Sequence, residues 1–277
     1  MASPRERNDK KARFDPRRGG PRPKAPAAPQ GSGWLWGAHA AEAALANPAR
    51  KILRVLATPD RARSLEAAAR GRAGPALRIE AADNGDIARL LPPGAVHGGV
   101  AVLAADLPDA DLDAMLSPAK GVILVLDQVT DPQNVGALLR SAAAFGVRGL
   151  IMQERHSPEL SGALAKAAAG AVERTPVARV VNLSRALEAI ADAGWRTVGL
   201  AGQAQASLHD AVDGSPVALV LGSEGEGLRR LVAEHCDVLA RIPMPGGFES
   251  LNVSAAGAVA LYEATRRTCA PPGGEHG

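Results

Sequence analysis

The stretch GVILVLDQVTDPQNVGALLRSAAAFGVRGLIMQ, residues 121–153, decides the fold. Two apolar runs, GVILVLDQ (121–128) and RGLIMQ (148–153), read as strands and flank a helix over 133–145. Asp131 is a good N-cap, Pro132 fits the first helical position, and Gly146 ends the helix in the left-handed conformation. Val135, Leu138, Leu139 and Ala142 form the apolar stripe. Arg140 lies opposite it and has no place in a core. The runs are continuously apolar, so both faces of each strand are covered, and the unit is strand–helix–strand within a parallel sheet.

The same alternation continues downstream. TPVARVV, WRTVGLA, PVALVLGS and DVLARIPM read as further buried strands. Helices are expected over 158–169, 183–193, 226–235 and 252–267. In such sheets ligands bind in loops beyond the carboxyl ends of the strands. Upstream, residues 34–105 read as a smaller α/β unit. Its strands are KILRVLATP, ALRIEA and HGGVAVLAA, and its helices GAHAAEAALAN, DRARSLEAAARG and NGDIARLL. Residues 106–117 link the two units, 118–268 form the second, and 269–277 are a flexible tail.

Residues 1–33 hold six prolines, four glycines and Phe14 as the only large apolar residue, and carry a net charge of +6. Such a segment cannot bury enough surface to offset its ordering entropy and is expected to be disordered. The remaining chain is net −3, so the chain's overall +3 resides in this arm. A basic arm suits RNA phosphate, the alternative being a solubilising tail. Hydrophobic residues make up 46% of the chain but aromatics only 3%, so the core must be built from Ala, Val, Leu and Ile. The apolar runs are strand-sized and the first residues lack the core of a signal peptide, so the protein is expected to be cytoplasmic, without a membrane partner. Cys236 and Cys269 form no metal-ligand pattern, so no metal is expected and both are read as ordinary thiols.

Three loops at strand ends could carry chemistry. The first shows Asn134 and Arg140. The second, ALVLGSEGEGLRRL (218–231), brings Gly222, Gly225 and Gly227 together with Glu224 and Glu226. Its GxxGxG spacing is neither a dinucleotide fingerprint nor a P-loop, and its acids would repel pyrophosphate. The third, RIPMPGGFESLNVSAAGAVALYEATRR (241–267), is stiffened by Pro243 and Pro245, turns at Gly246 and Gly247, and enters a helix of small residues. Each loop alone is also explained by ordinary turn, capping and packing chemistry.

Taken together and in this order, LDQVTDPQNVGALLRSAAAFG, LVLGSEGEGLRR and IPMPGGFESLNVSAAGAVALYEA resemble the SpoU/TrmH family of RNA ribose 2′-O-methyltransferases, of the SPOUT class. The resemblance is strong over 118–267. WLWGAHAAEAAL and AVHGGVAV look like the ends of that family's N-terminal RNA substrate-binding domain, and the 23S rRNA guanosine 2′-O-methyltransferases are the nearest subgroup. The resemblance implies a parallel-sheet domain with a C-terminal trefoil knot, S-adenosyl-L-methionine (AdoMet) as methyl donor, and a homodimer with its RNA site across the interface. It implies 23S rRNA as substrate, with tRNA as the alternative and no DNA partner. It carries Arg140, Asn134, Glu224, Ser250 and Asn252 over as catalytic; a contact in which Glu224 orients Arg140 is our own expectation. It places Leu221, Gly222, Ser223, Gly225, Ile242, Met244, Ser250, Leu251 and Asn252 around the cofactor. GGFE (246–249) departs from the subgroup's usual form, which leaves Phe248 and Glu249 without assigned roles.

Two other classes stay open. The alternation alone permits a dinucleotide-binding oxidoreductase, against which stand the missing GxGxxG and the acidic glycine loop. A non-catalytic ribosome-assembly protein of the same fold is opposed by the intact polar set.

Overall fold

The computed structural model describes residues 30–70, 77–246 and 250–268. Most of the expected basic arm, the tail from 269 with Cys269, and Phe248 and Glu249 lie outside them.

The first sheet contains β1 (Ser32–Trp36), β2 (Ile52–Ala57), β3 (Ile79–Ala81) and β4 (Val100–Ala105), in the order β1-β4-β2-β3. β4 is antiparallel to both β1 and β2, whereas β2 and β3 run parallel. Helices α1 (Ala38–Ala46), α2 (Pro59–Ala68) and α3 (Asn84–Leu90) connect them. β1 was not anticipated, and it starts two residues before the expected boundary at 34. Its SGWLW sequence is short and glycine-bearing, and its strand character comes from pairing with β4 rather than from local preference.

α4 (Leu112–Leu116) occupies the expected linker and makes it part of the folded body. Asp111 caps it, Met115 and Leu116 are buried, and the Leu116 carbonyl accepts the Trp195 indole N–H at 2.8 Å.

The second sheet is parallel in every pair. Its strands are β5 (Val122–Leu126), β6 (Gly149–Gln153), β7 (Val177–Val180), β8 (Arg196–Leu200), β9 (Ala206–Ser207), β10 (Val217–Leu221) and β11 (Val238–Arg241), ordered β7-β6-β5-β10-β8-β11-β9. The central strands VILVL and VALVL are buried at every residue. Val122, Leu124 and Leu126 face one layer with α5 (Pro132–Ala144), α6 (Gly162–Ala167) and α10 (Val253–Thr268). Ile123 and Val125 face the other, with α4 and α7 (Leu183–Asp192). Each such side chain contributes roughly 1.5–3 kcal/mol on burial, which is why these runs carry no polar alternation. The short helices α8 (Leu208–Ala211) and α9 (Arg230–Glu234) precede β10 and β11.

Two helices are shorter than expected. α6 breaks at the left-handed Ala169 and Gly170, and α9 begins at Arg230 rather than 226 because the preceding residues are held in a closed loop. The two sheets share one apolar cluster that includes Leu35 and Leu45 beside Leu164 and Ala168. Between them lies a buried ion pair, Arg50 Nε to Glu173 Oε1 at 3.6 Å, with Asn47 donating to the same carboxylate at 2.7 Å. Burial lowers the Arg50 pKa, and the negative charges of Glu173 and Asp106 oppose that shift.

Candidate active site

β5 and β10 are neighbours, yet the chain leaves them in opposite directions across the sheet, so their carboxyl ends flank a switch point. After β5, Asp131 accepts from the Asn134 amide N–H at 2.9 Å and starts α5. After β10, the chain closes on itself. Ser223 and Gly227 exchange backbone hydrogen bonds at 3.1 and 3.0 Å, with Gly225 and Gly227 at φ 85° and 69°. Gly222 lies so close to the Gly227 main chain that a Cβ there would overlap it.

A buried acid locks this loop to the first. The Asp127 carboxylate, 0% exposed, accepts from the Arg229 backbone N–H at 2.8 Å and from its Nε at 2.7 Å. Asp127 and Arg229 were not singled out from the sequence. An acid closing an apolar strand was the available signal, but its partner lies 102 residues away.

The three loops converge on Glu224. Its Oε1 accepts from Asn134 Nδ2 at 3.1 Å, from the Val253 amide at 3.3 Å, and from Asn252 Nδ2. Asn252 Nδ2 also donates to Asn134 Oδ1 at 3.0 Å. The other end of Asn252 caps α10, its Oδ1 accepting from the Ser254 and Ala255 amides at 3.0 and 3.3 Å. Asn134, Glu224 and Asn252 are therefore brought together as expected. The expected contact from Glu224 to Arg140 is not made, because the asparagines and the α10 start engage the carboxylate. Arg140 is exposed on α5 and has no hydrogen bond or ion pair among the described residues.

Beside this junction is a cavity of about 720 Å³ at the carboxyl ends of β8, β10 and β11. Leu221, Gly222, Ser223, Gly225, Ile242, Met244, Ser250, Leu251 and Asn252 all line it. The sequence reading missed a fourth wall, Leu200 to Gln203 after β8, although its position at a strand's carboxyl end was a signal. Burial pushes the Cys236 thiol up to about 12, with the negative Asp237 and Asp127 adding to it. It stays protonated and is no nucleophile.

The volume suits a nucleoside-sized ligand. Leu221, Ile242, Met244 and Leu251 offer apolar walls to a purine, and the glycine loop offers close main-chain polar groups. AdoMet, an adenosine joined to a charged amino-acid tail, fits this donor set.

Comparison with known proteins follows the same residues. The model of the SpoU rRNA Methylase family matches residues 121–262. A 23S rRNA (guanosine-2′-O-)-methyltransferase RlmB of Xanthomonas campestris is 47% identical over 176 residues, 62% of this chain and 71% of that protein. An uncharacterized tRNA/rRNA methyltransferase of Synechocystis is 43% identical over 62% of this chain, and the match spans only 46% of its length. Among solved structures, an AdoMet-bound rRNA methyltransferase from Sinorhizobium meliloti superposes with a TM-score of 0.71 at 25% identity, covering 87% of this chain and 89% of that one.

Proposed function

The chain belongs to the SpoU rRNA methylase family, and from that premise we propose that it transfers a methyl group from AdoMet to a ribose 2′-hydroxyl of RNA, a 23S rRNA guanosine before a tRNA, in the cytoplasm. The observation that carries the reading is the junction of Asn134, Glu224 and Asn252 at the mouth of a nucleoside-sized cavity. The names of the Xanthomonas campestris and Sinorhizobium meliloti proteins favour rRNA, and that of the Synechocystis protein covers tRNA as well.

AdoMet supplies an electrophilic methyl on a sulfonium. The protein's share is to hold donor and hydroxyl in line and to stabilise charge on the attacking oxygen. Glu224 and the two asparagines fix the three loops. Ser250 and Leu251 close the cavity from the third loop. Arg140 contacts the 2′-oxygen and the adjacent phosphate. A guanidinium keeps its proton, so this role is electrostatic rather than that of a base. Because Arg140 lies off the cavity wall, the RNA bridges it and the cavity, with the site completed across a homodimer interface. Ala255, Val259 and Tyr262, an exposed stripe on α10 beside α5, support that interface. A monomer mass in sedimentation at micromolar concentration would remove it.

We also assign residues 34–105 to RNA substrate binding. The C-terminal part of the second unit is assigned to a trefoil knot, on the strength of the family resemblance and of Ile242, Met244 and Ser250 lining one cavity with the 221–228 loop. A main-chain trace that pulls straight would remove the knot.

The deciding experiment is methyl transfer from labelled AdoMet to 23S rRNA and to tRNA, with the modified nucleotide mapped. Incorporation into a 23S guanosine that falls at least about 100-fold in Arg140→Ala is the expected result. No label in naked or ribosomal RNA would overturn the proposal, and full activity in Arg140→Lys would overturn the guanidinium role.

A further inference from the structure

A second cleft, of about 750 Å³, opens where the two sheets meet. On one side stand Trp34, Pro92, Pro93 and Val96 of the first unit. On the other stand Gln133 at the start of α5, Glu159 and Lys166. Its floor is a tight seam. A Cβ at Gly33 would come within 2.6 Å of the Ser161 Cβ, and one at Gly162 within 3.1 Å of the Trp36 ring.

Three features mark the cleft, where Trp34 also packs against the Trp36 cluster and the Lys166 stem lies over Gly37. Trp34 is only half-buried, whereas Trp36, two residues on and on the same strand face, is nearly fully covered. Val96 is 70% exposed. Lys166 is half-buried yet has no hydrogen bond or ion pair among the described residues.

The cleft opens at the start of α5, the helix that carries Arg140. Gln133 and Arg140 are seven residues apart on α5, two helical turns, so they share one exposed face about 10 Å apart. At a rise of ~3.4 Å per stacked nucleotide, a strand held at Arg140 reaches the cleft within about three nucleotides.

We propose that this cleft is a nucleobase subsite: it takes one unstacked base of the RNA, flanking the methylated ribose, against Trp34. This rests on the RNA methyltransferase reading above. Aromatic faces accept any base by stacking, and Lys166 meets the flanking phosphate. The Glu159 carboxylate, which accepts from Ser161 Oγ at 3.4 Å, repels phosphate and attracts exocyclic amines. It therefore turns the base edge toward itself and the backbone toward Lys166. Gln133 offers both a donor and an acceptor to the same edge.

The test uses the full chain and an RNA fragment carrying the modified nucleotide, made with an abasic site at each of the three positions on either side. Stacking one base on an aromatic ring changes affinity by roughly 5- to 150-fold. One abasic position is expected to weaken wild-type binding, read by fluorescence anisotropy, about tenfold. Trp34→Ala should weaken the intact RNA similarly, abolish the penalty at that position, and be largely restored by Trp34→Phe. Lys166→Ala, on the opposite wall, should lower affinity and its salt dependence. AdoMet affinity reports whether each variant is folded. Wild-type affinity in both Trp34→Ala and Lys166→Ala, or an abasic penalty that persists in Trp34→Ala, would overturn the subsite. Because anisotropy needs no turnover, a failure of methyl transfer in the wild type is seen separately.

Discussion

Removing the Asp127 carboxylate tests whether the glycine loop is held from below. Asp127 is fully buried, and Arg229 is 39% exposed at its side chain. Breaking a buried pair by deleting one partner costs about 3–5 kcal/mol. Arg229 can swing its guanidinium into solvent, which places Asp127→Ala at the lower end, about 3 kcal/mol, with the loss of the backbone acceptor for Arg229 N–H included. For a chain of this size each kcal/mol shifts Tm by roughly 2–4 °C, so thermal unfolding should fall by about 6–12 °C. The same change frees the residues between Ser223 and Arg229, so AdoMet binding by calorimetry should weaken by more than the tenfold that ~1.4 kcal/mol represents. A double-mutant cycle with Arg229→Met isolates the pair. If Asp127→Ala costs as much in the Arg229→Met background as in the wild type, the two side chains are not coupled and the reasoning fails.

Two other changes act on separate features. Gly222→Ala puts a Cβ into the Gly227 main chain, so the loop must open; AdoMet binding should become undetectable by calorimetry while the far-ultraviolet circular dichroism spectrum keeps its shape, and retained affinity would refute the close approach. Asp213 is held at about 2, below its ordinary 3.8, by hydrogen bonds from Ser215 and then by Arg196. A depressed carboxylate stabilises the fold above its unfolded pKa, and that contribution disappears as pH falls from 3.8 towards 2. Asp213→Asn should flatten the stability–pH curve in that window, by under about 1 kcal/mol because the group is half exposed.

Much of this was legible in the chain. VILVL and VALVL announced themselves because both sheet faces are covered, and Asp131, Pro132 and Gly146 marked the ends of α5 by local chemistry alone. The nine residues that the family resemblance set around a cofactor all line one cavity. What escaped depends on distant partners. β1 exists through β4, α9 is delayed by the Ser223–Gly227 closure and by Asp127, and the Leu200–Gln203 wall meets the other loops only once the strands are assembled. The partners of Glu224 lie 90 and 28 residues away in sequence, beyond any local pattern.

That one carboxylate oxygen has a consequence for biosynthesis. Contacts across such separations form late, after the loop-closure entropy of the intervening chain has been met. Asn252 and the first turn of α10 follow every other wall of the cavity in chain order. During translation the cavity therefore stays incomplete while its first two loops are already made. A nascent chain can fold its central strands and still hold no methyl donor, so cofactor retention marks molecules whose last helix has docked.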